Sequence, residues 1–450
     1  MKKLFHWYLH APLIWLNIGA FVFGCAAGLI VWKIGDYGYA HLASQITVWL
    51  APFGNVLISM LKMIVIPIIF CSLVCGAASL PFRQFGKMGA AVVVWYLATS
   101  LYAALFGTFT AIVCNPTLEN SDALAGSMLE QARTMQTTAA SASSPLLNLF
   151  YGLFMNPFQA LAEGQFLPVI VFSVLFGLAA RVIIDTTTAP SVKDGVSGLL
   201  GMFEAFQHVM FRIIDWVMRY FPIGVFALSA NCFALYGISL LSSYFQVAVC
   251  VIIGITLMIF VCYPLFVLTV CRENPYPVLW KLREPILTAF VTRSSAATLP
   301  VSMRTVREKL HIRSELTGFT LSLGATVNMD GVCIHLPVFA VLAANLFGFT
   351  MGPGQIFVLV ISVVFASVGA GGVPGGSIFL LFLVLDCFKL EPAQSSLIVA
   401  LALGINPLLD MFETACNVAG DNIGTYVIGK RMGMTEPEAE ADSHTANAAR

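Results

Sequence analysis

Four carboxylates stand where a carboxylate is hardest to keep. Asp330, Asp410, Glu413 and Asp421 all lie in long apolar stretches, and Asp330 is the only charged residue between Glu315 and Asp386. Asp410, Glu413, Thr414, Asn417 and Asp421 recur at three- and four-residue steps, which on an α-helix draws one polar stripe down an otherwise apolar surface. An ionisable group inside a bilayer is costly and must find a partner or a ligand. One such acid reads as polar glue between helices. Four, with Arg293 as the local candidate cation, read as ligands, and Asp and Asn oxygens joined by backbone carbonyls are hard donors suited to an alkali cation such as Na⁺.

Two further stretches break the apolar pattern. Residues 367–377 (SVGAGGVPGGS) are rich in glycine and carry Pro374, so they cannot continue a helix through lipid without leaving backbone amides unpaired. Such a segment is packed in protein or lines a cavity, as at the broken helices of transport sites. A phosphate-binding loop is excluded by the missing GK[ST] and by the lack of a strand–helix context. Residues 292–300 (TRSSAATLP) cluster Thr292, Ser294, Ser295 and Thr298 ahead of Pro300. Alone this is a solvated loop; beside a second broken segment it reads as a partner hairpin.

The rest of the chain is built to hold these groups in a membrane. Of its 450 residues 58% are hydrophobic and 10% charged, against about a quarter charged in soluble domains. With 23 basic and 23 acidic residues there is no positive field for nucleic acid. The eleven cysteines show no paired CxxC pattern, and most, Cys25, Cys71, Cys75, Cys250 and Cys262 among them, sit in apolar runs as small hydrophobes. Leu13 to Trp32 is a charge-free span, read as an uncleaved first helix rather than a signal peptide. The uncharged stretch between Arg219 and Arg272 is long enough for two more, and further spans are expected near 44–61, 63–82, 88–114, 146–161, 165–180, 199–211 and 392–409. Basic residues such as Lys2, Lys3, Arg83, Arg304, Arg307 and Lys430 mark the cytoplasmic side, and the acidic 115–145 loop marks the outside. Both termini are then cytoplasmic, and the polar tail at 435–450 is expected to be disordered.

Taken in order, Arg293-Ser294-Ser295, Asn328-Met329-Asp330-Gly331, the glycine-rich Gly369–Gly376 with Val373-Pro374, and Asp410…Thr414…Asn417…Asp421 resemble the dicarboxylate/amino acid:cation symporter family, which includes the glutamate transporters. The likeness covers roughly residues 10–430. It implies an all-α polytopic membrane protein with eight transmembrane helices and two re-entrant hairpins, assembled as a homotrimer and working as an elevator. Within residues 1–277, helices 1, 2, 4 and 5 would form the scaffold, with helices 3 and 6 of the transport domain interleaved. The first hairpin is expected at 278–308, helix 7 at 315–345 with an unwound Asn328–Asp330, the second hairpin at 354–388 and helix 8 at 392–430.

The resemblance also implies about three Na⁺ sites. One uses carbonyls at Gly324, Asn328 and Asn417 with the Asp421 carboxylate. A second uses backbone oxygens around Thr326, Ser367, Val368 and Ala370. A third uses Tyr96, Thr99, Ser100, Asn328 and Asp330. The substrate would meet Arg293, Ser294, Ser295, Met329, Val332, Val373, Ser377, Asp410, Glu413, Thr414 and Asn417, with Asp410 taking the ammonium and Asn417, Ser295 and hairpin amides the α-carboxylate. Each bound cation would order backbone that the substrate then uses, a reciprocal coupling.

Three positions depart from the family's acidic-substrate carriers. The helix 8 arginine that pairs with a substrate's side-chain carboxylate is Glu413 here, the helix 7 threonine beside it is Val332, and a supporting helix 8 aspartate is Asn406. Exchanging a charge-assisted partner worth about 1.5–3 kcal/mol for a like charge disfavours an anionic side chain. The expectation is a sodium-coupled importer of a small neutral amino acid (serine, threonine or alanine) in a bacterial cytoplasmic membrane, not an enzyme. Bacterial serine/threonine symporters are similar in carrying ETA at this place. Glu413 is left free to bind a hydroxyl, to pair with a cationic side chain or Arg293, or to hold a proton. The alternatives are an acidic amino acid or dicarboxylate symporter using Arg293 as anion partner, a cation channel, and, more remotely, a membrane aspartyl hydrolase built on Asp330 and Asp421. His335 reads as a packed core histidine.

Overall fold

The computed structural model describes residues 13–78, 86–117, 154–163, 165–368, 375–388, 390 and 392–436. The expected outer loop at 115–145, the tip of the second hairpin with Ala370 and Val373, and most of the C-terminal tail lie outside or largely outside these residues. Within them the chain is helical: α1 (Leu13–Asp36), α2 (Ala40–Ala78), α3 (Gly86–Cys114), α4 (Pro157–Glu163), α5 (Phe166–Thr186), α6 (Pro190–Tyr236) and α7 (Ser239–Leu257). A π turn at Met258–Cys262, the short α8 (Tyr263–Phe266) and a second π turn at Val267–Cys271 extend α7. Then come α9 (Pro275–Lys281), α10 (Arg283–Thr292), α11 (Ser295–Leu310), α12 (Ser314–Val327), α13 (Asp330–Phe347), α14 (Pro353–Val368), α15 (Gly376–Asp386) and α16 (Pro392–Arg431).

Eight helical stretches among the described residues are long and apolar enough to cross a membrane. The reason is the solvent: where no water reaches the backbone, a segment satisfies its own amides by coiling. Several spans are longer than the sequence suggests. Lys62 separates two apolar runs, yet α2 continues through it as a single helix of 39 residues. Its ammonium donates to Ser396 Oγ at 3.2 Å and lies 5.3 Å from the Phe382 ring centroid, so one polar contact replaces the break expected there. The span expected at 199–211 is the middle of α6, 47 residues and about 70 Å long at 1.5 Å per residue, well over a bilayer core. The run near 146–161 falls partly outside the described residues, and what is described there is the seven-residue α4.

Small residues draw α1, α2 and α6 together. A Cβ on Gly24 would come within 2.7 Å of the Phe226 carbonyl oxygen, and one on Gly28 would strike the Ala230 carbonyl oxygen, the close approach that a small-xxx-small pair permits. Gly54 on α2 and Gly224 on α6 make the matching approach to Leu228 and Leu57. Opposite this layer, α13 is buried on nearly every side, against α3, α16, α7, α14 and α15. A helix apolar all round belongs in such a place.

The broken segments lie in the second half of the chain. Helices α9–α10 and α11 form the two limbs of the first hairpin and meet at Arg293-Ser294. Helices α12 and α13 are one span interrupted at Asn328 (φ −97°, ψ 97°) and Met329 (φ −120°, ψ 60°). Helices α14 and α15 are the limbs of the second hairpin. The tail departs from expectation at its first residues: Thr435 bridges Ile312, and the Glu436 N–H donates to the His311 carbonyl at 2.8 Å, which closes the end of α16 onto the loop before α12.

Candidate functional site

The unwound Asn328-Met329 sets two of the four acids side by side. Asn328 donates its amide to Asp421 Oδ1 at 3.1 Å, while its own Oδ1 accepts from Thr99 at 3.2 Å and Ser100 at 3.5 Å. Ser100 also donates to Asp330 Oδ1 at 3.2 Å, and the Tyr263 hydroxyl donates to Asp330 Oδ2 at 2.8 Å. Tyr263 sits between the two π turns, a helix distortion frequent at functional sites. The Tyr96 hydroxyl donates to the Thr320 carbonyl at 2.8 Å and lies next to Gly324, whose missing side chain leaves room for the Asp421 carboxylate.

The partners of these two acids have no charge. Asp330 is 0% and Asp421 3% exposed, and no Lys, Arg or His among the described residues stands within ion-pair distance of either. Carboxylates so buried need a cation or a proton. Around them are hydroxyl, amide and carbonyl oxygens, and no group of three His, Cys, Asp or Glu side chains placed to hold a metal ion occurs among the described residues. That donor set suits a hard monovalent ion.

A second cluster lies across α16. Arg293 is the C-cap of α10 in the left-handed region (φ 54°), a conformation uncommon for a residue with a side chain. It is 8% exposed, and its guanidinium is 3.7 Å from Asp410 Oδ2. The same oxygen accepts the Gly375 N–H at 3.1 Å, so the entry to α15 is tied to α16. Gly375 holds φ 78°, where a side chain would strain the turn. Ser294 caps α11, its Oγ accepting from the Ala297 N–H at 3.2 Å.

Arg293, Ser295, Met329, Val332, Ser377, Asp410, Glu413, Thr414 and Asn417 surround one small space of about 20 Å³, room for a single water. The Ser295 hydroxyl is buried and has no hydrogen-bond partner among the described residues, at the start of α11, and α15 begins at Gly376 on the same cavity. Two helix N-termini and a free hydroxyl on one cavity suit a carboxylate. Asn417 Oδ1 accepts the Gly331 N–H at 2.7 Å, and Ser377 donates to Asn406 at 3.4 Å.

Glu413 does not pair with Arg293. Its Oε1 is in close contact with Nδ1 of His335, both side chains being 2% exposed. His335 is therefore packed, as its apolar neighbours suggest, but it also meets the pocket's most unusual acid. Helical spacing from Asp330 carries no sign of this, because the partner lies on another helix. Tyr263 and Gly375 were likewise invisible, each being brought to its acid by the fold alone.

The remaining expected cation ligands split. Thr326 and Val368 border a separate cavity of about 740 Å³, with Ser72, Glu204, Gln207 and Glu315 on its other sides. The Ser367 hydroxyl donates to the Val364 carbonyl at 2.8 Å.

Residues 13–431 match the model of the sodium:dicarboxylate symporter family. The neutral amino acid transporter B(0) of Bos taurus is 30% identical over 94% of this chain and 81% of its own length. The human protein of that name is 30% identical over 95% and 82%. Human excitatory amino acid transporter 3 is 27% identical over 92% and 84%. The broken α12–α13 span, the paired hairpins and this match across nearly the whole chain identify the protein as a member of the sodium:dicarboxylate symporter family.

Proposed function

We propose that the chain is a sodium-coupled symporter for a small neutral α-amino acid. The observation that carries this reading is the pairing of acids: Asp330 and Asp421 have only uncharged partners, while Arg293 is held by Asp410 and Glu413 by His335. Two buried carboxylates in uncharged surroundings are suited to binding cations. The substrate pocket keeps an ammonium acceptor in Asp410 and a carboxylate cradle around Ser295, but offers no free cation to an acidic side chain. The named activity of the B(0) relatives agrees.

In this reading Na⁺ is cargo at about three sites. One lies at Asp421 with the carbonyls of Gly324, Asn328 and Asn417, one at Asp330 with Tyr96, Thr99, Ser100 and Asn328, and one at Thr326, Ser367, Val368 and Ala370. The 740 Å³ cavity bordering Thr326 and Val368 is the aqueous route to the last. The substrate's ammonium displaces Arg293 from Asp410, its carboxylate takes the Ser295 hydroxyl and hairpin amides, and the second hairpin closes over both. The chain acts as a homotrimer in a bacterial cytoplasmic membrane with both termini inside, and α10–α16 move with α3 and α7 as an elevator against α1, α2, α5 and α6.

Binding tests the coupling directly. Labelled serine should bind the purified protein more tightly as Na⁺ replaces choline, with unlabelled threonine and alanine competing and aspartate and succinate not; binding indifferent to Na⁺ would contradict it. A Cβ at Gly324 would come within 2.6 Å of the Tyr96 hydroxyl and strike the Asp421 carboxylate. Gly324→Ala should therefore weaken the Na⁺ dependence by about tenfold, the scale of one lost charge-assisted contact. The measurement is the Na⁺ concentration that half-saturates thermal stabilisation.

A further inference from the structure

We propose that His335 is a positioning residue for substrate selection: it holds one oxygen of Glu413 so that the other reads a hydroxyl on the substrate's side chain, favouring serine and threonine over alanine. The proposal rests on the neutral-amino-acid reading above and extends it to the side-chain end of the pocket.

Three observations place the pair there. Val332 and His335 lie one helical turn apart on α13; Val332 lines the substrate cavity, and His335 stands immediately beyond it. Glu413 lines the same cavity while its Oε1 is turned to His335 Nδ1, so Oε2 is the oxygen proposed to meet the substrate. The two helices approach closely here, since a Cβ on Gly331 would lie 2.7 Å from Glu413 Cα, which fixes the backbone that carries Glu413.

His335 is fixed for this task and no other visible one. Its ring meets Phe339 edge-on at 5.0 Å, and neither ring nitrogen makes a hydrogen bond of regular geometry with a described residue; Nδ1 meets Glu413 Oε1 by close contact. Glu413 is thus its one polar contact among the described residues. The other charged groups near Glu413 are committed: Asp410, one turn earlier on α16, is paired with Arg293 from the first hairpin, and Asp330 on α13 is bound by Tyr263 and Ser100. An acid held in place with a free oxygen accepts a hydrogen bond from a hydroxyl. Alanine offers none, and leaves that oxygen buried without a partner.

The same arrangement would serve a purely structural pair, so the test compares two substrates in one protein. Initial rates of Na⁺-driven serine and alanine uptake are measured in proteoliposomes of the full chain carrying wild-type, His335→Asn or His335→Gln protein. The Asn amide reproduces Nδ1; the Gln amide falls at the position of Nε2, away from Glu413. The wild-type KM for serine should be about tenfold below that for alanine, the ratio expected from one hydrogen bond. His335→Asn should keep that ratio, and His335→Gln should bring it toward one. A wild type without serine preference, or equal ratios in the two variants, overturns the proposal. Failure of the underlying reading looks different: wild-type protein would then take up neither amino acid under a Na⁺ gradient.

Discussion

Asp410→Asn should abolish substrate binding and destabilise the protein at once. Its carboxylate balances Arg293, a guanidinium 8% exposed at a strained hairpin tip, and also accepts the Gly375 N–H that anchors the second hairpin. Removing one partner of a buried pair leaves the other charge uncompensated and costs about 3–5 kcal/mol. The same change removes the acceptor proposed for the substrate's ammonium, so serine affinity should fall by at least about a hundredfold, a loss of some 3 kcal/mol. The two effects are separable. Adding Arg293→Leu should recover much of the thermal stability, because the orphaned charge is gone, while binding stays lost. A double mutant as unstable as Asp410→Asn alone would show that the pair is not the source of the instability.

Gly331→Ala should have a comparable effect for a steric reason. The nearest atoms to an added Cβ are backbone: the Glu413 carbonyl oxygen, its Cα at 2.7 Å and its carbonyl carbon at 2.9 Å. A flexible side chain would give way, whereas two packed helices cannot without moving apart. Separation here breaks the Gly331–Asn417 hydrogen bond of 2.7 Å and parts His335 from Glu413. Overpacking of this kind costs about 1–3 kcal/mol or more. The variant should lose several degrees of thermal stability in detergent and its serine uptake, and Gly19→Ala, where nothing lies within 4 Å, should lose neither.

Much of this was readable before any coordinates. Asp330, Asp421 and Asn328 are conspicuous because the bilayer makes every polar residue in a span expensive, so composition alone marks them. The interruption of α12–α13 and the ends of α10, α11, α14 and α15 lie at or beside proline, glycine and hydroxyl clusters, which end helices by local rules. Helix lengths were less legible. Lys62 looked like a boundary, since its contacts with Ser396 and Phe382 are more than three hundred residues away in sequence and leave no local trace. His335 failed in the same way. Its burial was evident from its neighbours, but its chemistry depends on Glu413, and only the packing of α13 on α16 brings the two together.

The central claim is that the pocket takes a zwitterion with a neutral side chain and that Na⁺ drives its entry. Paired uptake of labelled serine and labelled aspartate into the same proteoliposomes, with an inward Na⁺ gradient and with that gradient collapsed, tests it most directly. Serine should accumulate only while the gradient stands, and aspartate should not accumulate at all. Gradient-driven aspartate uptake would mean that Arg293 leaves Asp410 to receive an acidic side chain, and would contradict the assignment of Glu413 and Val332.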